Sequence, residues 1–165
     1  MRSRLSEAGR EAGCIVLPND VHAIADAVEE VLRLARTAVF TAAPAEGEER
    51  VSELRLALVE ALNNVVRHGG GPEASPVIRI HLLRQDEHLL VRIEDTGPAP
   101  PAGFLDRIAA DRRGRDPPPC RLAPEALPEG GWGLMLIRAS VDGIAYRREG
   151  GRNILELAKR TAPAS

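Results

Sequence analysis

A two-layer α+β sandwich is the fold class this sequence predicts, and three observations lead there. First, 165 residues with 44% hydrophobic and 28% charged side chains suit one globular domain. Second, helical and strand-like patterns come in clusters, in the order β-α-α-β-β-loop-α-β-β, without the βαβα alternation of a parallel sheet. Third, two pairs of strand-like runs are each joined by a short polar or Gly-Gly connection, as hairpins are.

The elements follow in order. Residues 1–12 are polar and read as a flexible N-terminal tail, ahead of a domain over 13–161. Cys14-Ile15-Val16-Leu17, closed by Pro18, reads as a short strand, and proline suits an edge. Asn19 or Asp20 then caps a helix whose apolar residues at 21, 24, 28, 31/32, 35 and 39 keep helical spacing. The stretch Ala42-Ala43-Pro44-Ala45-Glu46-Gly47 breaks it. A second helix spans about 48–67 and stops at Gly69-Gly70-Gly71. Strands at 76–83 and 88–95 flank Arg84-Gln85-Asp86-Glu87. Residues 98–130 carry eight of the thirteen prolines and one short helical stretch near 103–110. A loop this long within a compact domain is functional or disordered. A glycine-initiated helix at 131–140 precedes strands at 143–148 and 152–159, turned by Gly150-Gly151.

Composition excludes several functions. Lys+Arg number 22 against 24 Asp+Glu, a net charge of −2, so global charge does not drive nucleic-acid binding. Aromatics make up 2%, too few for base-stacking platforms. Two cysteines, Cys14 and Cys120, are too few for a disulfide framework or a Cys-based zinc site, and they suit a reducing compartment. With no run of 18 apolar residues and no apolar signal core behind Met1, the expectation is a cytoplasmic chain without membrane attachment.

Three segments can carry chemistry. On the second helix, Leu54, Leu58, Ala61, Leu62, Val65 and Val66 form an apolar stripe bordered by Glu60, Asn64 and His68, each four residues apart. Such a row lines the seam between helix and sheet, or else is a solvated flank. In Leu89-Leu-Val-Arg-Ile-Glu-Asp95-Thr-Gly97, strand alternation sets Asp95 on the face of Val91 and Ile93. A carboxylate there needs donors. In Glu129-Gly130-Gly131-Trp132-Gly133-Leu134, glycines open a helix, whose N-terminus favours an anion. No Walker loop exists, and Lys159 is the only lysine.

In this order, Glu60-Ala-Leu-Asn-Asn64-Val-Val-Arg-His68, Asp95-Thr-Gly97 and Gly131-Trp-Gly133-Leu134 resemble the N, G1 and G2 boxes of the GHKL ATPase superfamily. Within it, the short chain and the Glu-Ala-x-x-Asn-x-x-x-His pattern look like the bacterial anti-sigma-factor serine/threonine kinases. The tail Gly-Gly-Arg-Asn-Ile-Leu-Glu-Leu-Ala-Lys159 looks like that branch's last strand, and the likeness covers about residues 15–160.

This resemblance implies the Bergerat fold, a mixed, mostly antiparallel sheet covered by helices on one face. It implies ATP and Mg²⁺ as cofactors, with Glu60 as general base and Asn64 as Mg²⁺ ligand; Asn63 is a neighbouring amide, and the spacing from Glu60 favours Asn64. It further implies that Asp95 reads the adenine amino group beside Gly97, and that Gly131, Gly133 and Leu134 border the triphosphate. His68 matches a frequent nucleotide-site position, and a C-terminal histidine favoured by the helix dipole is its plain alternative. Residues 98–130 match the ATP lid, with Arg112, Arg113 and Arg115 either touching phosphate or solvated. A sigma factor and a STAS-domain antagonist are the implied partners, with a homodimer as the assembly. One departure stands out: Gly97 is followed by Pro98-Ala99-Pro100-Pro101 where a second glycine is usual. Two other functions fit the same boxes: a nucleotide-binding interaction module with little kinase activity, and the catalytic domain of a histidine kinase.

Overall fold

The computed structural model describes residues 10–38, 44–68, 77–100 and 132–161. These form strands β1 (Arg10–Pro18), β2 (Val77–Gln85), β3 (His88–Asp95), β4 (Gly143–Glu149) and β5 (Arg152–Arg160), with helices α1 (Ile24–Ala38), α2 (Pro44–His68) and α3 (Trp132–Ser140). The five strands make one sheet in the order β1-β2-β3-β5-β4. All four pairings are antiparallel. The mixed character expected of the sheet is therefore absent among the described strands: two connections are tight hairpins, the one bearing α1 and α2 returns the chain antiparallel beside β1, and β4, reached through α3, runs parallel to β3 but is separated from it by β5.

Side-chain alternation builds the core on one face. Leu17 pairs with Ile78, Ile80 with Ile93, Leu82 with Val91, and Val91 with Leu157. All of these are buried and share one cluster with Val28, Val31 and Leu32 of α1, Leu54, Leu58 and Leu62 of α2, and Ile137 of α3. The three helices thus cover this face through their apolar stripes. The opposite face is held by charge. Glu156, 3% exposed, accepts from Arg92 Nε at 2.9 Å and pairs with Arg147 Nη1 at 3.0 Å. Burial alone would depress the Arg147 guanidinium, but the Glu156 carboxylate, with Glu149 adding to it, raises the group above its ordinary value.

Several boundaries shift for physical reasons. β1 begins at Arg10, so part of the expected polar tail pairs with β2, across an irregularity between Glu11 and Gly13. Asp20 caps the next element as expected, its Oδ1 accepting from His22 N–H at 3.0 Å, but that element starts as a 3₁₀ turn, Val21–Ala23. The tighter winding rotates Val21 off the α1 stripe and leaves it 54% exposed. Pro44 to Gly47 do not link helices but form the first turn of α2. Proline is tolerated there because a first-turn N–H has no intrahelical partner. Both hairpins close tighter than anticipated, through Asp86 at φ 50° and through Gly150 and Gly151 at φ 56° and 80°. Among the described residues no helix is long and apolar enough to cross a membrane. The expected tail up to residue 9, most of the lid (101–130), its short helix and three arginines, and Gly131 lie outside the described residues.

Candidate functional site

The row Glu60–Asn64 on α2 is not a solvated flank; it meets the N-terminus of α3. A Cβ added at Gly133 would lie 3.0 Å from Glu60 Oε2, 3.2 Å from Asn64 Nδ2 and 3.4 Å from Asn64 Oδ1. The absent side chain thus leaves a gap bordered by a carboxylate, an amide and the first turn of a helix. Turning the amide by 180° exchanges Oδ1 and Nδ2, so an oxygen can face the gap in either setting. Glu60 and Asn64 are both half-buried, as are Gly133 and Leu134. Of the two adjacent asparagines, Asn64 is the one set against Gly133.

The fit of a hard cation can be judged on this arrangement. Asn64 supplies an amide oxygen of the type Mg²⁺ takes, and the missing side chain at Gly133 is what lets the α3 start approach it this closely. The α3 start adds N–H groups and the positive end of a helix dipole, which suit phosphate.

Asp95 ends β3 on the core face and is 7% exposed. Its Oδ1 accepts from Gly97 N–H at 2.7 Å and from Asn153 Nδ2 at 2.9 Å. Asn153 lies directly across on β5, and its amide also donates to Gly97 O at 3.3 Å and Pro98 O at 3.0 Å. Behind it, Tyr146 O–H donates to Asn153 Oδ1 at 2.7 Å; Arg148 Nη1 donates to the same oxygen and to Gly97 O at 3.0 Å. Burial pushes the Tyr146 phenol above its ordinary value; Arg148 opposes this and the Asp95 charge adds to it. The Asp95-Thr-Gly97 turn is thereby pinned from both sides. Asn153, Tyr146 and Arg148 went unsingled in the sequence, because only the pairing of β3 with β5 brings them to Asp95. The signal available was the Gly150-Gly151 turn, which sets Asn153 opposite Arg148.

His68 closes α2 exposed, beside Arg67. At the other end of the seam, Lys159 is 7% exposed, pairs with Glu53 Oε2 of α2 at 2.5 Å, and donates to Ser140 O at the end of α3 at 3.0 Å. The lone lysine therefore clamps the two helices that frame the gap, far along the chain from both.

The family model of the histidine kinase-like ATPase domain matches residues 17–159. The chain belongs to the histidine kinase-like ATPase family. Among its relatives, the serine/threonine-protein kinase BtrW of Bordetella bronchiseptica is 34% identical over 112 residues, 68% of this chain and 72% of BtrW. Among solved structures, the RsbU and RsbW domains of Rv1364c from Mycobacterium tuberculosis align with a TM-score of 0.54 at 14% identity. That alignment covers 92% of this chain and 34% of the other, so the ATPase domain spans about a third of that longer chain, and the likeness is one of fold. Membership implies ATP binding, and a protein-kinase relative agrees with kinase-type activity in the coarse sense.

Proposed function

We propose that this ATPase domain is an ATP-dependent protein serine/threonine kinase that regulates a sigma factor by partner switching, its substrate being a serine or threonine of a STAS-domain antagonist. The observation that carries the kinase reading is the closeness of Gly133 to Glu60 and Asn64, which sets a carboxylate base beside a helix N-terminus. A pure nucleotide binder has no use for a base there. The name of the BtrW relative supports the reaction type. The sigma factor, the antagonist and a homodimeric assembly rest on the resemblance of the three boxes.

The chain's own residues divide the work. Glu60, half-buried on α2, accepts the proton of the attacking hydroxyl. Amides at the start of α3, with Gly131, Gly133 and Leu134, hold phosphate oxygens in place of a Walker lysine. Asn64 Oδ1 is the ligand for Mg²⁺, which when bound offsets phosphate charge. Asp95 orients the base: the bonds from Gly97 and Asn153 fall on Oδ1, so Oδ2 is assigned to the adenine amino group. His68 lies one turn beyond Asn64, at the edge of the same nucleotide site.

The test is phosphoryl transfer from γ-labelled ATP to a purified STAS-domain antagonist. Wild-type chain should label a serine or threonine of the antagonist, and Glu60→Ala should bind ATP without labelling it. Labelling by Glu60→Ala at the wild-type rate would remove Glu60 as the base. ATP binding without any labelling by the wild type would leave the interaction module as the function.

A further inference from the structure

The irregularity in β1 has a chemical consequence on the sheet face away from the helices. Glu11 pairs with Leu83 and Gly13 with Leu82, so Ala12 is an extra residue in the strand. In a regular strand, residues three apart point to opposite faces. The extra residue restores phase: Ala12 packs on the core, and a Cβ on Gly13 would strike Leu34 Cδ1 at 2.8 Å. Glu11 and Cys14 both turn to the open face, where Cys14 pairs with His81. One carboxylate, one thiol and one imidazole thus converge, with ligand atoms all within 4.8 Å of one another, and Glu11 and Cys14 exposed.

We propose that Glu11, Cys14 and His81 form a Zn²⁺ site, separate from the nucleotide site on the helical face. Two light ligands about 2.1 Å from a tetrahedral zinc stand about 3.4 Å apart. His81 Nδ1 and Glu11 Oε1, joined by a hydrogen bond, are already 3.3 Å apart. The exposed Cys14 thiol lies within 4.8 Å of both ligand atoms, against about 3.6 Å between sulfur and a light ligand on a tetrahedral zinc. Thiolate, imidazole and carboxylate together select a borderline cation over Mg²⁺ or Ca²⁺. Two cysteines are too few for a site built on cysteine, but this donor set needs one. The cross-strand contact between Glu11 and His81 uses the same two residues, and by itself gives Cys14 no part.

The test is titration of the full chain, freed of metal, with Zn²⁺ alone, alongside Co²⁺ as a spectroscopic probe. One equivalent of Zn²⁺ should bind, and Co²⁺ should show a thiolate charge-transfer band. Cys14→Ser should abolish that band, and His81→Gln and Glu11→Gln should weaken binding by more than about tenfold. Cys120→Ser should bind as wild type does. Without any substitution, Zn²⁺ should slow alkylation of Cys14 by iodoacetamide, read by peptide mass. Absence of a stoichiometric site, a charge-transfer band that survives Cys14→Ser or is lost in Cys120→Ser, or alkylation indifferent to Zn²⁺ would each overturn the assignment.

Discussion

Replacing Gly133 by alanine adds one methyl group at the point where α3 meets Glu60 and Asn64. The new carbon would sit 3.0 Å from Glu60 Oε2 and 3.2 Å from Asn64 Nδ2. Both neighbours are ends of side chains, so they can yield by a few tenths of an ångström, and the chain should fold. Helix propensity even favours alanine over glycine, by up to about 1 kcal/mol. Nucleotide binding should move the other way, because the methyl crowds the first turn of α3, whose amides are assigned to phosphate, and the Asn64 amide assigned to its metal. Losing one interaction with a charged group costs about 1.5–3 kcal/mol, or about tenfold to a hundredfold in dissociation constant. Calorimetric titration with ATP and Mg²⁺ reads the affinity, and a thermal melt reads the stability. Unchanged ATP affinity in a folded Gly133→Ala chain would refute the placement of phosphate beside this glycine.

Other perturbations bear on the remaining parts of the structure. Glu60→Gln should leave ATP binding within about twofold and lower phosphoryl transfer by about a hundredfold to ten-thousandfold, measured on an antagonist substrate. Asn153→Ala removes a donor from Asp95 and an acceptor from Tyr146 and Arg148; a loss of about 1–3 kcal/mol in urea unfolding, with weaker ATP binding, is expected. Glu156→Ala leaves Arg92 and Arg147 facing each other without their carboxylate, and should cost about 3 kcal/mol in the same assay. Tyr146 is the only tyrosine, so its ultraviolet titration is unambiguous. The phenol should ionise above its ordinary value of 10.0. Since the folded chain then holds its proton longer than the unfolded one, stability should fall as pH rises past that value, and Tyr146→Phe should remove this contribution.

What the sequence made legible were features with a local period or a local breaker. The stripe of Leu54, Leu58, Ala61 and Leu62 is buried as its spacing required, and the glycines at 150 and 151 turn the last hairpin. Asp95 lies on the core face, as alternation with Val91 and Ile93 placed it. Two kinds of feature stayed hidden. Register changes leave no periodic trace: the extra residue at Ala12 redirects Glu11, and the 3₁₀ turn at Val21 rotates it outward. Pairings between distant segments are equally silent. Nothing near residue 95 announces Asn153 or Arg148, and nothing near Glu53 announces Lys159. The same holds for the gap at Gly133. Its composition was read from two separate motifs, but its shape arises only when α2 packs on α3.

The most direct test of the nucleotide site is thermal unfolding with ATP, in the presence of Mg²⁺ and after its removal by chelation, for wild type and Asn64→Ala. At about 100 times the dissociation constant, ATP with Mg²⁺ should stabilise the wild type by about 2.7 kcal/mol. Chelation should remove most of that gain, and Asn64→Ala should show a small shift that is the same with and without Mg²⁺. No stabilisation of the wild type at millimolar ATP, or a Mg²⁺-dependent shift retained in Asn64→Ala, would contradict it.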